Sequence, residues 1–339
     1  MGRSTGSKVQ LSAIIFAVLF LLVSSVSAAD KPDPKTAAVL KAAGGSPGGV
    51  GFVILTGLSK AVSESYPRIE ITVVPGGFVG NLMRTSVGEL DIGVTTISLA
   101  AMGEKKAPPY DKEDLSNVRA LMSAQNKFNF FAVVRKDLEA DSIGDLFTKK
   151  LPVKLATLHK GTATELVWGS ILKSQGIGWE DVKSKWGGNV SFVSWADGVN
   201  LVKDGHADGI LAVGANKIGW LLELSHARDL KMLKWDPEIL DYAMNNFGLL
   251  EGKIPAGTYE GIEEDVVVPY TPCEFIINKD VPDNVVKAIL TGTYENAEMY
   301  SKHHPSLSEF TADGMAKGLR MPLHPAAEAF YKEHDIPLD

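Results

Sequence analysis

Apolar residues recur along this chain with two periods, and the switches between them mark its elements. Beyond the run Gly44-Gly45-Ser46-Pro47-Gly48-Gly49, the residues Val50, Val53, Ile54, Gly57, Leu58, Ala61 and Val62 share one face of an amphipathic helix. Pro67 ends that helix, and Ile69, Ile71 and Val73 alternate as a strand. A second turn, Pro75-Gly76-Gly77, opens a helix carrying Val79, Leu82, Met83 and Ser86. Gly88-Glu89-Leu90-Asp91 closes it and starts a strand over residues 91–95.

The same order returns downstream. Residues 153–158 read as a strand and Lys160-Gly161-Thr162 as a turn, with Ala163, Leu166, Val167, Ser170 and Ile171 at helical spacing. A strand at 190–193 and a short helix at 197–203 follow, and Gly205-His206-Ala207-Asp208 leads into a strand at 209–213. Both halves thus close on Gly-x-x-Asp ahead of an apolar strand. Gly45 and Asp91 are 46 positions apart, and Gly161 and Asp208 are 47 apart. Two βαβαβ halves of equal length predict an α/β protein with two parallel sheets in two similar lobes. The runs 128–134, 266–270 and 274–278 read as strands crossing between them, which makes a hinge of two connections. Lobe one is then 36–128 plus 271–339, and lobe two is 129–270. From Pro282 the pattern is helical (Val285, Ile289, Tyr294, Ala297) and should cap lobe one.

The first residues add a compartment. Arg3 and Lys8 precede a run at 11–23 that is apolar apart from Ser12, and Val26-Ser27-Ala28 supplies small residues for cleavage. This predicts a signal peptide over 1–28, removed after Ala28 or Ala29, in a chain exported to the periplasm. The apolar run falls short of the roughly 20 residues that span a bilayer. No cysteine stands at the cleavage point, so no lipid anchor is expected. The 34 basic and 41 acidic residues give a net charge of −7. Loss of Arg3 and Lys8 leaves 32 basic residues against 41 and a charge of about −9, which argues against nucleic acid and anionic membrane surfaces as partners. Cys273 has no partner for an intramolecular disulfide and reads as a small buried hydrophobe.

In open α/β sheets a ligand sits off the carboxyl ends of the strands, where helices begin. Four turns qualify here: 46–49, 76–78, 160–164 and 195–198. Free backbone N–H groups and the positive end of each helix dipole favour an anion. Gly48, Gly49, Gly77 and Gly161 let main-chain amides approach it, while Ser46, Thr162 and Thr164 add hydroxyl donors. Further candidates on the same face are Thr95, Thr96 and Ser98, Gly214 and Asn216, and Gln125 with Asn126. All six tryptophans (Trp168, Trp179, Trp186, Trp195, Trp220 and Trp235) lie in the second lobe and read as core or rim packing. Trp195 stands apart because it immediately precedes the fourth helix start. His303, His304 and His324 lack metal-ligand spacing and read as a solvated helical surface. Gly44 to Gly51 has the wrong spacing for a dinucleotide fingerprint. Neither a Gly-x-Ser-x-Gly elbow nor a P-loop lysine occurs, so neither catalysis nor a cofactor is expected.

Taken in order, these motifs resemble the TAXI-type solute receptors of tripartite (TRAP) transporters over nearly all of the chain beyond the leader. The likeness is carried by Ala43-Gly44-Gly45-Ser46-Pro47-Gly48-Gly49, Val74-Pro75-Gly76-Gly77 with Asn81, and Gly88-Glu89-Leu90-Asp91-Ile92-Gly93-Val94. Val133-Val134-Arg135-Lys136-Asp137 leading to Ser142-Ile143-Gly144-Asp145-Leu146, Gly161-Thr162-Ala163-Thr164 and Gly205-His206-Ala207-Asp208 complete it. The resemblance implies a type II periplasmic-binding fold with a ligand cleft between lobes. It also implies a small carboxylate as solute and membrane-embedded transporter subunits, driven by an ion gradient, as partners. It places Ser46, Gly48, Gly77, Asn81, Gly161, Thr162 and Thr164 at ligand-loop positions. The chain departs from the family at Val50 and Gly51, where aromatics are usual; Phe52 and Phe78 stand nearby instead. His159 and Lys160 replace small residues and could pair with an anion or be solvated. Receptors for ATP-driven importers and solute sensors for signalling receptors share this fold and remain alternative readings.

Overall fold

The structure, a computed structural model, describes residues 1–2 and 31–338, so almost all of the expected leader lies outside the described residues. The chain first lays down β1 (Ala38–Ala43), α1 (Val50–Ser65), β2 (Ile69–Val74), α2 (Phe78–Ser86), β3 (Ile92–Thr96), α3 (Ile97–Glu104) and β4 (Val118–Ser123). It continues through β5 (Phe128–Arg135), α4 (Ile143–Thr148), β6 (Lys154–Thr157), α5 (Ala163–Ser174), α6 (Trp179–Ser184), β7 (Asn189–Phe192), α7 (Trp195–Lys203) and β8 (Gly209–Gly214). Next come α8 (Gly219–Ala227), β9 (Leu230–Met232), α9 (Pro237–Phe247), β10 (Leu250–Ile254) and β11 (Val266–Thr271). The chain then returns as β12 (Cys273–Asn278), α10 (Asp283–Glu295), α11 (Ala297–Ser301) and α12 (Pro325–Glu333).

Two sheets result, ordered β2-β1-β3-β12-β4 and β10-β11-β5-β8-β6-β7, with β9 beside β5. The expected pair of sheets is present, but neither is wholly parallel. β1 runs parallel to β2 and β3, and β6 parallel to β7 and β8. β12 lies antiparallel between β3 and β4, and β5 antiparallel between β8 and β11. The reason is topological: a strand arriving from the other lobe enters the sheet reversed. The three runs expected to cross are strands, each wholly inside one sheet. Passage between sheets is left to residues 124–127 and to Pro272, which has no N–H to continue a ladder.

The Gly-x-x-Asp repeat has a physical cause. Gly88 and Gly205 take φ of 73° and 75° just after α2 and α7, a left-handed conformation that glycine adopts without strain. Three residues on, Asp91 accepts the Lys41 N–H at 2.7 Å and donates its own N–H to the Lys41 carbonyl. Asp208 does the same with Lys154, also at 2.7 Å. Each motif ends a helix and clasps the start of the returning strand to its parallel neighbour.

Between them, α1 and α10 bury Ile54, Leu58, Val286 and Ile289 against the first sheet. A second apolar cluster joins the lobes, because Leu99 and Met102 of α3 pack with Ile239 and Ala243 of α9. α3 is buried at every position from Ile97 to Gly103, so it has no polar face to reveal an amphipathic period. Lys105 at its end donates to the carbonyls of Asn245 and Asn246 (3.2 and 2.9 Å), meeting the negative end of α9. Cys273 is fully buried, and desolvation pushes its thiol upward. Beside it Glu274 is buried too, accepts the N–H groups of Arg320 and Met321, and is pushed up to about 8 by desolvation. His324 departs from its expected solvated place: it is 1% exposed and its Nδ1 caps α12 by accepting the Ala326 N–H.

Candidate functional site

Strand pairing fixes where the four turns point. Thr96, the last residue of β3, pairs with Cys273, the first of β12. Gly214, the last residue of β8, pairs with Asn129, next to the start of β5, and Asn129 pairs with Tyr270 at the end of β11. The carboxyl ends of β1–β3 and of β6–β8 therefore both lie at the passages between lobes, and their turns converge there from opposite sides. Phe78 at the start of α2 meets Phe128 at the start of β5 with ring centroids 6.2 Å apart. Asn126 ties the two passages together by accepting the Cys273 N–H at 2.8 Å.

On the first lobe, the Gly49 N–H donates to the Ser46 carbonyl at 2.9 Å and Gly48 takes φ of 77°. Gly49 and Gly77 are the N-cap residues of α1 and α2. Neither helix has a side-chain cap or an acidic residue in its first turn, so both keep unsatisfied N–H groups and positive dipole ends. Ser46, Gly48 and Gly77 are exposed. A Cβ on Gly51 would run into the Phe78 ring, so the aromatic of the second turn packs over the start of the first helix.

Behind these turns stand residues that hold them. Asn81 is fully buried; its Nδ2 donates to the carbonyls of Ala43, Gly44 and Val94, binding the first turn to β3. The Thr95 hydroxyl donates to the Phe78 carbonyl at 3.0 Å, while Thr96 caps α3 and pairs with Ser98 at 2.9 Å. Gln125 turns to the C-terminal segment, donating to the Thr311 carbonyl at 2.7 Å. With Lys127, Tyr270 and Glu309 it lines a cavity of about 140 Å³ at the first passage.

The second lobe repeats the turn with different contents. The Thr162 N–H donates to the His159 carbonyl at 3.2 Å, and Gly161 takes φ of 81°. Here, however, the Thr162 hydroxyl accepts the Glu165 N–H, and the Glu165 carboxylate accepts the N–H of Gly161 (3.1 Å) and of the Trp179 indole (2.8 Å). The N-terminus of α5 is occupied by its own acid. At α7 Ser194 accepts the Asp197 N–H and donates to its carboxylate at 2.7 Å. The expectation that all four turns offer free donors therefore holds only for the two on the first lobe. Thr164 is buried. Trp195 stacks on Trp220 at 5.6 Å and 17°, and Trp220 on Phe131 at 6.5 Å, so Trp195 is the outer layer of a packed wall. The Gly214 carbonyl and Asn216 both accept from Asn129. His159 is exposed, and Lys160 lies over the Phe192 ring, 4.8 Å from its centroid. The sequence reading missed Glu165, although Thr-x-x-Glu at a helix start is a capping pattern, and it placed Phe128 and Asn129 at the junction without naming their contacts with Phe78 and Asn216.

Two solved structures share this architecture. XAC2383 from Xanthomonas citri bound to ATP is 12% identical, with a TM-score of 0.51 over 88% of this chain and 99% of that one. PhnD1 from Prochlorococcus marinus (MIT 9301) in complex with methylphosphonate is 13% identical, with a TM-score of 0.50 over 90% and 100%. At these identities the likeness is one of fold, the two-lobed fold of periplasmic binding proteins. The model of the NMT1-like family matches residues 42–334, which takes in both sheets from the end of β1 onward. This chain belongs to the NMT1-like family.

Proposed function

We propose that this protein captures a small organic anion, a carboxylate, between its lobes outside the cytoplasm and hands it to membrane-embedded transporter subunits. It performs no chemistry on the solute. One observation carries the reading: α1 and α2 begin on the half-buried Gly49 and the exposed Gly77, uncapped and free of acid, at the junction of the lobes. Such helix starts receive negative charge without lysine or arginine. The similar folds of XAC2383 and PhnD1 hold ATP and methylphosphonate, both anions. Closure turns on residues 124–127 and Pro272. The motif order shared with TAXI-type receptors supports a TRAP-type partner driven by an ion gradient.

Thermal shift and calorimetry against small carboxylates, neutral sugars and amines test the reading. Saturation at 100 times the dissociation constant adds about 2.7 kcal/mol of stability, and only the carboxylates should do so. A shift by sugars or amines alone would sink the anion assignment. Uptake that requires ATP hydrolysis would move the receptor to the other transporter class.

A further inference from the structure

We propose that Lys160 is the specificity-determining contact of the second lobe for the solute's anionic group, held on Phe192 until the lobes close. The inference rests on the anion reading above.

Lys160 belongs to the turn after β6, and Phe192 is the last residue of β7. Its ammonium therefore stands at the carboxyl end of the second sheet, the end at which the passages lie, over the outermost strand β7. In the repeated turn Lys160 takes the place that Pro47 takes on the first lobe, one residue after the accepting carbonyl of His159 or Ser46. The first lobe can meet an anion with main-chain N–H groups. The second cannot do so at α5 or α7, whose starts carry Glu165 and Asp197. A side-chain cation is what remains to it. Among the described residues no carboxylate or other hydrogen-bond acceptor meets the Lys160 ammonium, and the Phe192 ring is its partner.

The mounting is built from both ends. Glu165 accepts the N–H of the peptide that joins Lys160 to Gly161, which fixes the turn. Its other oxygen accepts from Trp179, whose ring packs edge-on against Phe192 at 5.5 Å and 90°. One carboxylate thus positions both the main chain beneath the lysine and the ring beneath its ammonium. A cation over a phenyl ring is held more weakly than one in a charge-assisted hydrogen bond to a carboxylate. Transfer from ring to solute is therefore favourable, whereas a neutral solute leaves the lysine where it is.

The test titrates wild type, Lys160→Gln, Lys160→Arg and Trp179→Phe with succinate, glutamate, 2-oxoglutarate and methylphosphonate by calorimetry. For the tightest of these, Lys160→Gln should bind at least tenfold more weakly and with a flatter salt dependence. Lys160→Arg should stay within about threefold of wild type, and Trp179→Phe should lose a few-fold with its charge intact. Lysine acetylation read by mass spectrometry should show Lys160 protected by that anion and Lys173, exposed at the far end of α5, unprotected. If wild type binds a probe and Lys160→Gln binds it equally well with unchanged salt dependence, the lysine assignment falls and the anion reading stands. If wild type binds none of the four, the anion reading falls and takes the assignment with it.

Discussion

The two lobes carry the same turn at the same place and use it in opposite ways. At 46–49 and at 159–162 an N–H donates back to a carbonyl three residues earlier, with a left-handed glycine just before the N-cap. On the first lobe the N-cap is glycine and the helix start is left open; on the second it is threonine, and Glu165 fills the start. Repetition of topology has duplicated geometry without duplicating charge. A carboxylate near a helix N-terminus contributes about 0.3–1 kcal/mol when exposed and up to ~2 kcal/mol when partly buried. Glu165 is only 9% exposed, so α5 is already neutralised and a second anion there would meet repulsion. The helix starts of one lobe thus favour negative charge and those of the other oppose it.

The sharpest way to break this comparison is to make the first lobe resemble the second. Gly77 has extended backbone (φ −143°), and a Cβ there would meet nothing within 4 Å. Gly77→Asp therefore supplies α2 with a favoured N-cap, stabilising the fold by a few tenths of a kcal/mol. The same carboxylate should weaken anion binding about 100-fold, ~2.7 kcal/mol. Gly77→Ala, which adds bulk without charge, controls for shape. A stable Gly77→Asp protein that binds its anion with wild-type affinity would place the solute away from α2.

How much of this was legible beforehand follows from which forces leave a local mark. The Gly-x-x-Asp pairs were visible as spacing because each motif is local: a left-handed glycine and an aspartate reaching a neighbouring strand. α3 was invisible because it is buried all round, and periodicity needs a wet face. The mixed sheets were missed because strand direction depends on which lobe the chain arrives from. Asn81, Thr95, Thr96 and Gln125 were recognisable as polar residues near turns. That they are engaged with Ala43, Phe78, Ser98 and Thr311 is a three-dimensional fact. Glu165 was readable from Thr-x-x-Glu, yet its consequence, a helix start already filled by its own acid, follows only from its contacts with Gly161 and Trp179.

The reverse alteration makes the second lobe resemble the first and should have a smaller effect. Glu165→Gln removes the charge but keeps an acceptor for one of the two N–H groups now served. Stability should drop by about 1 kcal/mol as the other donor loses its partner. Anion affinity should rise about threefold once a like charge leaves the cleft edge, the loosened mounting of Lys160 offsetting part of a larger electrostatic gain. Weaker binding by a folded Glu165→Gln protein would mean that the acid positions the solute more than it repels it, and the contrast between lobes would lose its electrostatic meaning.

The smallest effect separates scaffold from site. Asp91 and Asp208 clasp equivalent strand starts, at the ends of the sheets remote from the turns. Asp91→Ala should cost about 1 kcal/mol for its lost main-chain hydrogen bond. Asp208→Ala should cost about 0.5 kcal/mol more, since Asp208 also accepts from the half-exposed Arg135 at 2.9 Å, a surface pair of modest strength. Both variants should bind the anion as wild type does, because neither clasp touches a helix start. Urea melts and calorimetry on the two proteins read these quantities separately. If Asp91→Ala weakened binding as much as Gly77→Asp, the strand starts would be coupled to the cleft. The open helix ends could then no longer be treated as a site independent of the frame that carries them.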